Sequence, residues 1–166
     1  MDSQTGVFAV LGAFFAIWMI LGLGLTALMI VAYWFIYAKA KQPGWAVLIP
    51  IYNEIVLLKI VGRPLSWLIW IFQIIIFEIL FFIAPGLVTG ILVFLSFVTS
   101  LVFCIIIING LSKSFGKDAG FTVGLIFLPF IFYPILGFGK ATYIGPGGVA
   151  PSVEIIPQLP DTPPQV

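Results

Sequence analysis

Residues 6–38 form one long apolar run that contains no charged residue. No lysine or arginine precedes the run, and it is longer than the apolar core of a cleaved signal peptide. The run therefore predicts a retained transmembrane helix. Such a helix would be about 50 Å long at 1.5 Å per residue, whereas the hydrocarbon core of a bilayer is about 30 Å thick. We expect the helix to tilt, project or bend, with Gly22 and Gly24 as the expected bend.

The composition of the chain indicates that its main solvent is lipid. Hydrophobic residues make up 62% of the sequence and charged residues 8%, compared with about 25% charged residues in soluble proteins. We therefore predict an all-α protein with several membrane spans. The net charge of +1 does not indicate nucleic-acid binding. The sequence has no histidine, which excludes His-ligated zinc or haem and Ser-His or Cys-His catalytic pairs, and we expect no cofactor.

Three further apolar segments follow, at residues 65–84, 87–111 and 121–138. Only Pro85-Gly86 separates the first two, which predicts a second and a third span joined as a helical hairpin. The last segment contains two prolines, which lack an amide hydrogen and clash with the preceding helical turn. It is therefore either a kinked fourth span or a re-entrant hairpin folded at the prolines. Its polar side chains are one threonine and one tyrosine, which favours the span.

Residues 43–64, which we call the elbow, interleave charged, proline, aromatic and apolar residues. The pattern predicts a short helix over about residues 53–62, with Asn53 as its N-cap and Gly62 at its end. This helix is too short and too charged to span, so we expect it at the membrane interface. Its candidate contacts with lipid headgroups or a partner protein are Asn53, Glu54, Lys59 and Arg63.

The basic residues predict the topology. They cluster after the first span (Lys39, Lys41, Lys59, Arg63) and after the third (Lys113, Lys117). The positive-inside rule then places the N-terminus outside and the basic loops in the cytoplasm. The side of the C-terminus depends on whether 121–138 spans. We expect residues 1–144 to form a single membrane domain and the Pro/Gly-rich residues 145–166 to be a disordered tail.

Glu78 is the acidic residue that lies inside a predicted span, past its midpoint. A bare carboxylate there would cost several kcal/mol. If the hairpin turns at Pro85-Gly86, the neighbouring polar residues can form a seam of Gln73, Glu78, Ser96 and Thr99. One interpretation is a proton or cation relay. The other is a neutral acid that hydrogen-bonds a serine or links helices.

The residues give little support for catalysis. Ser112, Lys113 and Ser114 bring a nucleophile type and a base type together, but adjacent residues on a helix do not face each other. No span contains an aspartate, and one buried glutamate does not make a carboxylate metal site. We therefore expect a protein that is not an enzyme.

Two phrases in the sequence resemble a known family. IPIYNEIVLLKIVGRP in the elbow and KSFGKDAGFTVGLIFLPFIFYPILGFGKATYIGP after the third span are similar to small multi-pass bacterial membrane proteins of unknown function. The resemblance covers roughly residues 40–146 and implies a bacterial inner-membrane protein with no established activity. Some relatives carry a signal peptidase I label. The resemblance to that enzyme would imply a membrane anchor and a large extracytoplasmic β-domain, and we expect no such domain in this chain.

We therefore expect an accessory or scaffold subunit of a larger inner-membrane assembly, in contact with the lipid bilayer and with a membrane protein partner or a second copy. The alternative is a small transporter or channel that uses Glu78 as its proton or cation site. Scarce ionisable groups and an abundant apolar surface favour the first hypothesis.

Overall fold

The computed structural model describes the backbone of residues 3–149 and the side chains of residues 6–70 and 72–149. This part of the chain contains no strand, which confirms the all-α prediction. Short 3₁₀ turns lie at Gly44–Leu48, Leu65–Leu68 and Pro146–Gly148. The α-helices are α1 (Ser3–Lys39), α2 (Pro50–Val61), α3 (Ile69–Ile83), α4 (Leu87–Ser114), α5 (Ala119–Phe127) and α6 (Pro129–Phe138).

Three helical stretches are long and apolar enough to cross a membrane. They are Gly6–Lys39, Leu65–Ile83 and Leu87–Ser114, with mean hydropathies of 2.4, 2.3 and 3.1. They correspond to the first three predicted spans. α1 continues through Gly22 and Gly24 without a break in its helical assignment.

The last apolar segment folds back on itself between α5 and α6. The rings of Phe121 and Phe132 lie 5.1 Å apart, whereas eleven residues of straight helix would separate them by about 16 Å. α5 ends before Leu128, whose φ of −130° is not helical, and Pro129 begins α6. A Cβ at Gly124 would overlap the Phe132 ring, so glycine makes room for the return. The kinked fourth span that the sequence favours is therefore not what the structure shows.

Both ends of this α5–α6 hairpin lie at the same end of the bundle. The Lys39 ammonium, at the end of α1, donates hydrogen bonds to the carbonyls of Leu136 (2.7 Å) and Gly139 (2.6 Å) at the end of α6. A few residues later, the Ile144 amide donates to the carbonyl of Ser114, where α4 ends, at 2.8 Å. The hairpin thus begins and ends beside the ends of α1 and α4, and we call it re-entrant because it returns to the end of the bundle from which it starts.

The buried core lies at this same end of the bundle, which we call the core end. Residues 7–28 of α1 are exposed, as are the side chains around the turn between α3 and α4, where Phe82 is 88% exposed. Apolar surface outside the core end therefore faces the membrane. The largest fully buried side chains are those of Tyr37, Ile36, Leu58, Ile60, Leu111, Leu125, Leu136, Val56, Ser112 and Ser114.

Helix α2 begins at Pro50 and not at Asn53, which is a correction to the predicted N-cap. Ile49 occupies the cap position and its side chain makes no capping hydrogen bond. Proline is favourable at the first helical position, because the amide hydrogen it lacks has no helical partner there. Gly62 follows the last residue of α2 in the left-handed conformation, with a φ of 74°.

The first residues of the predicted tail are packed. The 3₁₀ turn at Pro146–Gly148 lies against α2 and α4, and the Gly147 amide donates to the Ser114 hydroxyl at 3.0 Å. A tail beginning at residue 145 was therefore placed too early. The remainder of that predicted tail, residues 150–166, lies outside the described residues.

Gly110 allows α2 and α4 to approach each other closely, since a Cβ at this position would overlap the Val61 side chain. We expect Gly110→Ala to destabilise the protein by roughly 1–3 kcal/mol, as overpacking typically does. Thermal unfolding in detergent measures this as a lower midpoint. The matched control is Gly12→Ala in α1, where a Cβ would meet nothing within 4 Å. An equal midpoint for the two variants would contradict the close approach.

Candidate functional site

A group of polar residues joins α1, α2 and α6 at the core end. Tyr33 and Tyr37 lie one turn apart on α1, on the same face. The Tyr37 hydroxyl donates to the side-chain oxygen of Asn53 and is 3.3 Å from its backbone carbonyl oxygen. Tyr33 stacks on Tyr133, with ring centroids 4.7 Å apart. We call Tyr33, Tyr37, Asn53, Glu54 and Tyr133 the tyrosine cluster.

Glu54 is the acidic member of the tyrosine cluster. Its side chain is half-buried, and it lies close enough to Tyr37 and Cys104 to act on them electrostatically. Burial raises the pKa of the Glu54 carboxyl above its ordinary value, because loss of hydration penalises the charged form. The cluster therefore contains a carboxyl group that holds a proton more tightly than a glutamate in water.

Glu54 should make the stability of the fold depend on pH. The folded state has the higher pKa, so it binds more protons than the unfolded state between the ordinary pKa near 4.5 and the raised one. Stability then falls as the pH rises through this interval. We expect Glu54→Gln to flatten this decline and to raise the thermal midpoint at neutral pH.

Melting curves of wild type and Glu54→Gln in detergent, measured from pH 4 to 8, test this expectation. Lys59→Gln, a change at an exposed position of the same helix, is the control and should leave the pH dependence in place. A Glu54→Gln curve that parallels the wild type would contradict the assignment.

The Tyr37 hydroxyl links α1 to the elbow. Its removal in Tyr37→Phe leaves the Asn53 side-chain oxygen without this donor, and we expect a loss of about 1–2 kcal/mol of stability. Tyr52→Phe is the control, because Tyr52 contributes its ring by stacking on Trp45 at 5.1 Å. Unfolding midpoints that fall equally in both variants would show that the Tyr37 hydrogen bond contributes nothing specific.

A second polar feature is a cleft of about 350 Å³ between α2, α4 and the Pro146–Gly148 turn. We call it the cationic cleft, because its charged lining side chains are Arg63 and Lys113. The Arg63 guanidinium lies over the Trp67 ring, 4.7 Å from its centroid. Asn109, in the last part of α4, also lines the cleft.

The four candidate residues of the elbow therefore separate into three environments. Asn53 and Glu54 belong to the tyrosine cluster, Arg63 lines the cationic cleft, and Lys59 is exposed on α2. Lys113 was not among the predicted site residues, and neither were Tyr33 and Tyr37 of α1. The four-residue spacing of Tyr33 and Tyr37 was the available signal for a shared face.

Among the described residues, no hydrogen bond joins the members of the predicted polar seam in the α3–α4 hairpin. Glu78 is exposed and Gln73 is half-buried. The Ser96 hydroxyl is buried and has no hydrogen-bond partner among the described residues. Thr99 donates to the Leu95 carbonyl of its own helix at 2.8 Å. The proton-relay interpretation requires these groups to meet, and it stays a prediction because the described side chains share no hydrogen bond.

The serines beside Lys113 bond to backbone carbonyls. Ser112 donates to the Asp118 carbonyl at 3.2 Å, and the Ser114 hydroxyl lies within hydrogen-bond distance of the carbonyl oxygens of Gly110 (2.9 Å) and Ile60 (3.1 Å). Both side chains are fully buried, so their hydroxyls connect α4 with α5 and α2. In the part of the chain that the structure describes, no group of three or more His, Cys, Asp or Glu side chains is placed to hold a metal ion.

A family model described as a family of unknown function, DUF5684, matches residues 45–146. The matched region contains α2 to α6, with Asn53, Glu54 and Tyr133 of the tyrosine cluster and both cations of the cationic cleft. No curated protein and no solved structure matches the chain.

Proposed function

Because the chain belongs to the DUF5684 family, whose function is unknown, we propose a function from its own surfaces. The protein is a non-catalytic accessory or scaffold subunit that assembles with another membrane protein, or with a second copy, in the bacterial cytoplasmic membrane. The observation that supports this proposal most is the position of Glu78.

Glu78 carries a carboxyl group on the membrane-facing surface of the α3–α4 hairpin. It lies eight residues beyond Trp70, which is about 12 Å of helix. If Trp67 and Trp70 mark one interface, this depth is close to the middle of a hydrocarbon core about 30 Å thick. The side chain is exposed, and an acidic group exposed to lipid at this depth costs about 3 kcal/mol. A donor on a partner helix removes that cost, which is why we assign this face to an assembly contact.

The exposed part of α1 supports the same proposal. Residues 7–28 are exposed along their whole length, and Gly12 and Ala16 form a small-xxx-small pair that lets another helix approach closely. A Cβ at Gly12 would meet nothing within 4 Å. The surface is therefore open to helices of a partner as well as to lipid.

We propose a topology with the N-terminus outside and the core end in the cytoplasm. Support comes from the re-entrant hairpin, which returns Lys140 to the core end. The positive-inside rule assigns an end so enriched in cations to the cytoplasm. The seven basic residues near this end are Lys39, Lys41, Lys59, Arg63, Lys113, Lys117 and Lys140.

The absence of catalytic activity is part of the proposal. Its support is the use of the Ser112 and Ser114 hydroxyls as donors to backbone carbonyls, which leaves Lys113 without an adjacent free nucleophile. The alternative of a small transporter or channel that uses Glu78 has less support, because no hydrogen bond joins the predicted polar seam among the described residues.

The role of Glu78 is tested by purifying the full chain from its native membrane in mild detergent and measuring the mass of the complex by light scattering. We expect the wild type in a complex and Glu78→Leu with about tenfold weaker association, since hydrogen bonds between membrane helices contribute about 1–2 kcal/mol.

The matched control is Thr99→Val on α4 of the same hairpin, because its hydroxyl bonds within its own helix. This variant should associate as the wild type does. The proposal would be wrong if the wild-type protein is a free monomer, or if Glu78→Leu and Thr99→Val associate equally.

A further inference from the structure

The cationic cleft is formed by three segments that pack against one another. One wall is the end of α2, a second is the last three turns of α4, and the third is the Pro146–Gly148 turn. A Cβ at Gly62 would lie 2.6 Å from the Pro146 Cβ, so glycine lets the turn approach the end of α2. The Ser114 hydroxyl accepts from the Gly147 amide at 3.0 Å, and its oxygen lies 3.1 Å from the Ile60 carbonyl oxygen and 2.9 Å from that of Gly110. One buried side chain is therefore within hydrogen-bond distance of both the turn and α2.

The charge of the cleft favours an anion. Arg63 and Lys113 lie on two different walls, Asn109 adds an amide, and no acidic residue within 3–149 lines the cleft. The Trp67 ring orients the Arg63 guanidinium. Guanidinium binds two oxygens of a phosphate group at once, and lysine adds a compact positive charge.

The remaining lining residues favour an anion with an apolar chain. Val61, Ile105 and Ile106 form the apolar side of the cleft, and Ile105 is 49% exposed. α4 continues from this point into its membrane-spanning part, so an acyl chain can follow the helix surface from the cleft into the bilayer. A free phosphate ion would leave this apolar wall unused.

We propose that the cationic cleft binds the phosphate headgroup of an anionic phospholipid, with its acyl chain along α4. Arg63 and Lys113 hold the phosphate, Asn109 contacts the glycerol, and Ile105 contacts the chain. The site is distinct from the Glu78 surface and does not depend on the proposed assembly.

The experiment is native mass spectrometry of the full chain in detergent, titrated with phosphatidylglycerol or phosphatidylcholine of identical acyl chains. We expect phosphatidylglycerol to bind more tightly. The double variant Arg63→Gln/Lys113→Gln should bind it roughly 30-fold more weakly, from about 1 kcal/mol for each cation. Lys59→Gln/Lys140→Gln removes the same charge from exposed positions outside the cleft and should bind within about threefold of wild type.

Single variants keep the test decisive if the double variant does not fold, as judged by circular dichroism and gel filtration. Lys113→Gln alone should weaken binding about fivefold, and so should Arg63→Gln alone. Three results would each overturn the proposal. They are equal binding of the two lipids, equal losses in the cleft and control variants, and displacement of phosphatidylglycerol by inorganic phosphate at the same concentration. The last result would identify a site for free phosphate.

Discussion

The architecture depends on the contact between Lys39 and the end of α6. The last carbonyls of a helix have no partner within the helix. At the end of α6, the Lys39 ammonium donates hydrogen bonds to the carbonyls of Leu136 and Gly139. α6 packs on α1, while α5 packs on α4. The re-entrant hairpin thereby joins the first span to the α3–α4 hairpin, and the buried core forms where they meet.

Much of this arrangement is predictable from local sequence. The three spans follow from the length of the apolar runs, and Pro85-Gly86 defines the turn between α3 and α4. The re-entrant hairpin does not follow, because Pro129 is compatible with a kinked span and with a reversal. What decides between them is the packing of Phe132 on Gly124, a contact between residues that a straight helix keeps apart.

Only part of the candidate site is visible in the sequence. The elbow draws attention to Asn53 and Arg63, but their neighbours in space, Tyr37 and Lys113, are distant in sequence. The exposure of Glu78 was not predictable for a different reason. Helix α3 is apolar on nearly every side, so the periodicity of its sequence does not indicate which face packs against α4 and which faces outward.

The contact between Lys39 and the end of α6 also determines the order in which the protein folds during synthesis. The Lys39 ammonium and the Gly139 carbonyl are 100 residues apart in sequence, and membrane helices first insert singly and pack afterwards. During synthesis, α1 and the α3–α4 hairpin therefore enter the bilayer before the segment that connects them exists. The core closes only after Gly139 has been synthesised, so a ribosome that stops before this residue releases inserted helices whose polar ends are not yet packed.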